Sequence, residues 1–168
     1  LRIIIGQQLS GSAADTIFNK FVTLLKNRPI TPQAVINLDA DLIRTAGVSY
    51  AKIRYLKSLA QAFDSNPSYI DELRNLNAEE CIIELTKLYG IGVWTASIFT
   101  MFYLGHEDVF ATSDATILKA ISKIYSSGGV VDNDSLVELQ LRWTPFKTIA
   151  CMVLWSWVDA KMPQIAIP

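Results

Sequence analysis

The chain has 168 residues, 51% of them apolar and 18% charged, with a formal net charge of −1. That describes one domain, or two small lobes sharing a core: too apolar for disorder and long enough to fold without staples. The balance of charge does not point to a globally basic nucleic-acid binder or to strong salt-sensitive binding of DNA, although phosphate contacts through backbone N–H groups stay open.

Two cysteines, Cys81 and Cys151, make neither a disulfide scaffold nor a cysteine-only zinc or iron–sulfur site. An intracellular, reduced protein is expected, in cytoplasm or nucleoid, or in the nucleus of a eukaryote. From Leu88 to Gly105 no residue is charged, about the length of a membrane span, but Gly90 and Gly92 interrupt the stretch. The remaining 93–104 is too short to cross, so a buried core helix and no membrane partner are expected. No leader-like segment is visible, and the chain opens at Leu1 in what already reads as helix or its approach. A piece of a longer protein is the expectation.

Taken in chain order, nearly everything reads as helix. Ser12 is a candidate cap, followed by a stripe of Ala13, Ile17, Phe21, Leu24 and Leu25 that ends at Asn27-Arg28-Pro29. Thr31-Pro32 is an N-cap followed by a proline at the first helical position. Val35, Ile36 and Leu38, then Leu42 and Ile43, predict two short helices broken near Leu38-Asp39, closed by Gly47. Ser49 opens a helix with the stripe Ile53, Leu56, Leu59, Ala60 and Phe63, stopped at Asn66-Pro67. A short helix follows over 68–75. Asn77 caps 78–88, with Glu79 and Glu80 in the first turn, where negative charge suits the helix dipole. Helices over 93–104, 114–125, 134–142 and 145–159 complete the chain, with Ser126-Ser127-Gly128-Gly129 a flexible loop. No strand alternation is defensible. The class is all-α, with eight to ten short helices.

The most informative segment is Leu85-Thr86-Lys87-Leu88-Tyr89-Gly90-Ile91-Gly92-Val93-Trp94-Thr95-Ala96, two amphipathic helices around a tight glycine turn. The glycines allow positive φ and let another surface approach the backbone closely. The second helix starts with N–H groups pointing outward, which hold a phosphate without lysine or arginine. Ile91 points inward and pins the helices together. An ordinary αα-hairpin explains the turn equally well.

Here the sequence resembles the helix-hairpin-helix DNA glycosylases, the superfamily that also holds endonuclease III, and most closely their 3-methyladenine DNA glycosylase II (AlkA-type) branch. Five ordered blocks carry the resemblance across residues 1–168, with the hairpin at about 79–104. They are Ile5-Gly6-Gln7-Gln8-Leu9-Ser10 with Ala13-Ala14; Gly47-Val48-Ser49 with Lys52, Tyr55-Leu56 and Leu59-Ala60; and Gly90-Ile91-Gly92-Val93-Trp94-Thr95-Ala96. Then come Asp108-Val109-Phe110 with Asp114, and Trp143-Thr144-Pro145-Phe146-Lys147 with Ala150 and Leu154-Trp155. The resemblance implies a two-lobed all-α fold with the active-site cleft between the lobes. It implies a monomer that binds duplex DNA containing alkylated bases, flips out a 3-methyladenine-like purine and hydrolyses its N-glycosidic bond.

Residue roles carry over from the same resemblance. Asp114 becomes the catalytic carboxylate that stabilises an oxocarbenium-like sugar and orients water. By residue type alone, Asp114 is a helix cap, a task open to Ser113 as well. Trp94 stands where strand-cutting relatives have a lysine nucleophile, which implies a monofunctional enzyme that leaves an abasic site. Trp155, with Trp94, becomes a wall of the base pocket, where an indole face attracts a cationic purine. Core packing is the alternative for both, as for Trp143 and Trp157. Gln8 takes the place of the residue that wedges into the gap left by the flipped base, with a polar helix-entry turn as the alternative. Gly90, Gly92 and Thr95 fall in the DNA-anchoring hairpin, and Lys52, Lys57 and Lys87 are candidate basic contacts. The backbone carbonyls of Thr86, Leu88 and Ile91 correspond to a site for a monovalent cation, Na+ or K+, with no cofactor required.

Some features depart from that pattern. Tyr89 replaces the usual proline, which is expected to loosen the turn, and Ile98 replaces a second pocket aromatic. The loop over 126–134 is long. No cysteine quartet follows the last helix, which argues against an iron–sulfur cluster. Asp108 reads as structural and His106 as a solvent-facing loop residue. Two rival readings are a non-catalytic helix-hairpin-helix DNA-binding module and an α-helical protein-interaction domain with a chance glycine turn.

Overall fold

The computed structural model describes residues 1–26, 28–126, 129 and 131–162. Among them the secondary structure is helical, with eleven α-helices and no strand. The chain divides into two compact units, residues 1–96 and 97–168.

The first unit holds α1 (Arg2–Gly6), α2 (Gly11–Leu24), α3 (Pro32–Asn37), α4 (Ala40–Thr45), α5 (Tyr50–Ser65), α6 (Tyr69–Arg74) and α7 (Ala78–Thr86), and the start of α8 (Val93–Phe102). Most begin where a side chain satisfies a first-turn N–H. Thr31 accepts from Ala34, Asp39 from Leu42 and Ser49 from Lys52. Asn77 and Glu80 form a reciprocal capping box at α7. The cap expected at Ser12 is instead Ser10, whose extended backbone precedes a helix already under way at Gly11. α1 lies where the chain was expected to open in helix or its approach; it is five residues long and has no side-chain cap.

α5 is the central element of this unit, packed by α1, α3 and α4. Its stripe buries Ile53, Leu56 and Ala60, while Leu59 and Phe63 stay half-exposed. Phe21, Ile4, Ile5, Val35, Ile43 and Leu73 are buried in the core of the unit.

The second unit holds the rest of α8, then α9 (Ala115–Tyr125), α10 (Asn133–Trp143) and α11 (Lys147–Asp159). α9 and α10 both pack on α11, with Ile117, Ala120 and Ile121 of α9 and Cys151 and Leu154 of α11 buried. Thr148 binds the loop before α9 to α11. Its hydroxyl donates to the His106 carbonyl at 2.7 Å, and its N–H donates to the Glu107 carbonyl at 2.8 Å. Asp108 adds an ion pair with Lys147 at 3.1 Å, the structural role expected of it. His106 is half-buried rather than solvent-facing. Of the loop expected to be flexible, residues 127 and 128 lie outside the described residues. No described helix is long and apolar enough to cross a membrane.

Candidate active site and hairpin

In the first unit, α7 and the first turn of α8 flank the glycine turn. Gly90 has φ +84, and a Cβ there would overlap the Tyr55 ring of α5. Tyr89 packs its own ring edge-on against Tyr55, with centroids 5.1 Å apart. The turn therefore has an aromatic anchor where proline was expected. Gly92 differs: its φ is ordinary, and a Cβ there would meet open space. Its bareness leaves the approach to the α8 N-terminus unobstructed. Ile91 is buried, as a pin between the helices should be.

Thr95 is 5% exposed, and its hydroxyl accepts a hydrogen bond from Gln7 Nε2 at 2.9 Å. The same Gln7 nitrogen donates to the Gly90 carbonyl at 3.2 Å. The Thr95 hydroxyl is thus engaged within the protein. Gln8 is exposed at the tip of its turn, with φ +58. Lys52, a candidate for DNA, turns inward and donates to the carbonyls of Ile5 and Gln7 at 2.8 and 2.7 Å. Burial holds its amine below the usual lysine pKa. Lys57 donates to the Ile36 carbonyl at 3.2 Å, and Lys87 pairs with Glu84. All three candidate basic contacts thus have partners within the protein.

In the second unit, Asp114 is the N-cap of α9, so Ser113 is not the cap. Its Oδ1 accepts the N–H groups of Thr116 and Ile117, each at 2.9 Å. It is 7% exposed, although it is a carboxylate. The Trp155 indole N–H also donates to Oδ1, at 3.3 Å. Trp155 is half-buried, and its ring lies 6.0 Å from that of exposed Phe102, tilted by 39°. Sequence reasoning named Asp114 and Trp155 separately, and the structure puts them in contact. Phe102 was missed, because an aromatic at the end of an apolar helix reads as core. Trp143 packs on Phe110 with centroids 5.8 Å apart, a core role. Trp94 is half-buried on the first turn of α8. A carboxylate with an indole beside it suits a site that receives a flat cationic group.

The family model for HhH-GPD superfamily base excision DNA repair proteins matches residues 1–146. The chain belongs to that superfamily. Among its relatives is DNA-3-methyladenine glycosylase 1 of Schizosaccharomyces pombe, 32% identical over 159 residues, 93% of this chain and 69% of the relative. The crystal structure of the DNA-3-methyladenine glycosidase of Bacillus halodurans superposes with a TM-score of 0.80 at 31% identity, covering 93% of this chain and 72% of that one. The S. pombe 3-methyladenine DNA glycosylase in complex with abasic DNA superposes at 0.85 with 29% identity, covering 98% and 81%. An 8-oxoguanine glycosylase/lyase of Clostridium acetobutylicum, 16% identical at a TM-score of 0.79, shares the superfamily fold alone.

Proposed function

We propose that this superfamily member is a monofunctional DNA glycosylase that binds duplex DNA as a monomer and removes alkylated, 3-methyladenine-like purines in base excision repair. Such an enzyme works inside the cell, where the genome is. The observation that carries the reading is the contact between Asp114 and Trp155. The indole hydrogen bond and the two α9 N–H groups fix the carboxylate before any substrate arrives, so little reorganisation is left for the reaction. The indole in turn is oriented by the carboxylate and presents a flat surface to an extruded base. An alkylated purine is cationic, and an indole face favours it over a neutral base.

In the reaction the bond between C1′ and the base nitrogen breaks, and its electron pair leaves with the base. A cationic base accepts that pair without a separate proton donor. Positive charge develops on the sugar, where the Asp114 carboxylate stabilises it. Water then bonds to C1′ and releases a proton, leaving an abasic site and the free base. Trp94 offers no amine for a Schiff base, which supports hydrolysis without strand cleavage.

The Gly90–Thr95 segment supplies the phosphate anchor, through first-turn N–H groups of α8 that the helix itself does not use. The carbonyls of Thr86, Leu88 and Ile91 are neutral oxygen donors, a set suited to a weakly held monovalent cation. The Leu88 carbonyl accepts the Ile91 N–H at 3.0 Å and keeps a second lone pair. A cation held there would add positive charge beside the anchor.

The test is base release from methylated duplex DNA by the parent and by Asp114→Asn. The expected result is release by the parent and a loss of about 10²–10³-fold in the variant, with DNA binding retained. Equal release by both would remove Asp114 from the chemistry. Binding without release by either would leave a DNA-binding module.

A further inference from the structure

The turn between α1 and α2 exposes Gln8 and Leu9. Its conformation is not one its own residues favour. Gln8 occupies the left-handed region, which residues with a Cβ avoid, and Leu9 is 40% exposed. The Leu9 N–H closes the turn on the Gly6 carbonyl at 3.0 Å, and two tethers from outside hold it in place as well. Lys52 Nζ on α5 grips the Ile5 and Gln7 carbonyls. Gln7 Nε2 reaches the glycine turn and the first turn of α8, bonding the Gly90 carbonyl at 3.2 Å and the Thr95 hydroxyl at 2.9 Å. A side-chain amide has two N–H hydrogens, and here two acceptors meet them. Both lie on the segment proposed to anchor phosphate, while the residue after Gln7 is the one proposed to fill the gap in the duplex.

We infer that Gln7 is a positioning residue. Its amide sets the distance between the Gln8 wedge and the phosphate anchor, so that gripping the backbone and inserting into the stack occur as one event. The inference rests on the glycosylase reading but concerns base extrusion, not bond cleavage. It predicts that loss of the amide hurts most when the base is hard to extrude, because unstacking costs least at a mismatch.

The experiment measures single-turnover release of one alkylated purine from a matched pair and from a mismatch. In parallel, the fluorescence of a neighbouring 2-aminopurine reports unstacking when the protein binds. The proteins are the parent, Gln7→Ala, Gln7→Glu, Gln8→Ala and the Gln7→Ala/Gln8→Ala double variant. Gln7→Glu keeps the shape and removes the donor. Both Gln7 variants are expected to lose about tenfold on the matched pair, to recover most of it at the mismatch, and to melt like the parent. The double variant is expected to be no slower than Gln8→Ala, since Gln7 acts through Gln8. Thr95→Ser, which keeps the acceptor, is expected to retain more of the matched-pair rate than Thr95→Val. An equal loss on both substrates, or additive losses in the double variant, would overturn the inference and leave Gln7 an ordinary packing contact. If the parent unstacks the duplex in a Gln7-dependent way but releases no base, the positioning role stands and the glycosylase reading falls. If it neither unstacks nor releases, both fall.

Discussion

Trp155 donates its indole N–H to Asp114 Oδ1 at 3.3 Å, the same oxygen that accepts two α9 backbone N–H groups at 2.9 Å. One oxygen therefore caps a helix and binds an indole N–H. The indole bond is the longest of the three.

The two duties of Asp114 separate by substitution. Asparagine keeps an acceptor at the cap and removes the charge, so Asp114→Asn should melt close to the parent while base release collapses. Asp114→Ala should lose about 1 kcal/mol of stability as well, the usual worth of an N-cap. Urea denaturation beside base-release kinetics on both variants checks this. A large loss of stability in the asparagine variant would count against the assignment.

Trp155 is expected to act on base binding. Trp155→Ala should raise KM for an alkylated purine by about tenfold, in line with base–aromatic stacking of about 1–3 kcal/mol. Trp155→Phe keeps a flat face, but a weaker one for cations and without the N–H donor. Its preference for cationic over neutral damaged bases should narrow. Competition between the two lesion types in one reaction measures that preference directly.

The two hairpin glycines should behave oppositely. Gly90→Ala forces a Cβ into a positive φ and into the Tyr55 ring, at a cost of about 2–4 kcal/mol. Gly92→Ala meets open space, so the fold should hold while affinity for duplex DNA falls about tenfold, because the new methyl group stands in the path of the phosphate. Melting and fluorescence-anisotropy titrations on the pair distinguish the roles, and unchanged affinity in Gly92→Ala would move the phosphate anchor elsewhere.

Thiol chemistry supplies a pH test. Burial raises the Cys151 thiol to about 11 and pushes Cys81 up as well. Above about pH 9 the unfolded chain releases these protons while the native chain keeps them, so native stability falls as pH rises toward 11. Well below the ordinary thiol pKa both states keep these protons and the thiols contribute no slope. Urea midpoints at pH 8 and pH 10 should differ in that direction, and by less in Cys151→Ala. Neither thiol should react with iodoacetamide at pH 8 until the chain is unfolded.

Much of the fold was legible because its signals are local. Thr31, Ser49 and Asn77 each cap a first turn within three residues, and the break at Leu38-Asp39 shows in the spacing of Val35, Ile36, Leu42 and Ile43. The pairing of Asp114 with Trp155 was half legible: each residue stood out, but their contact spans 41 positions. Gln7 and Lys52 were beyond reach for the same reason. The partners of Gln7 lie 83 and 88 positions away. Lys52 reads as a candidate basic contact until the carbonyls it faces are seen. The missed cap at Ser10 shows a smaller ambiguity, since Ser10 and Ser12 offer the same chemistry and only the extended backbone of Ser10 decides between them.

A carboxylate placed in the opening turn of a helix shares that helix's cooperativity. Asp114 cannot drift while α9 is intact, and it has no fixed position once the first turn of α9 frays. Heat inactivation of the enzyme should therefore follow the melting of this one helix. Salts or osmolytes that protect α9 should preserve activity to the same degree.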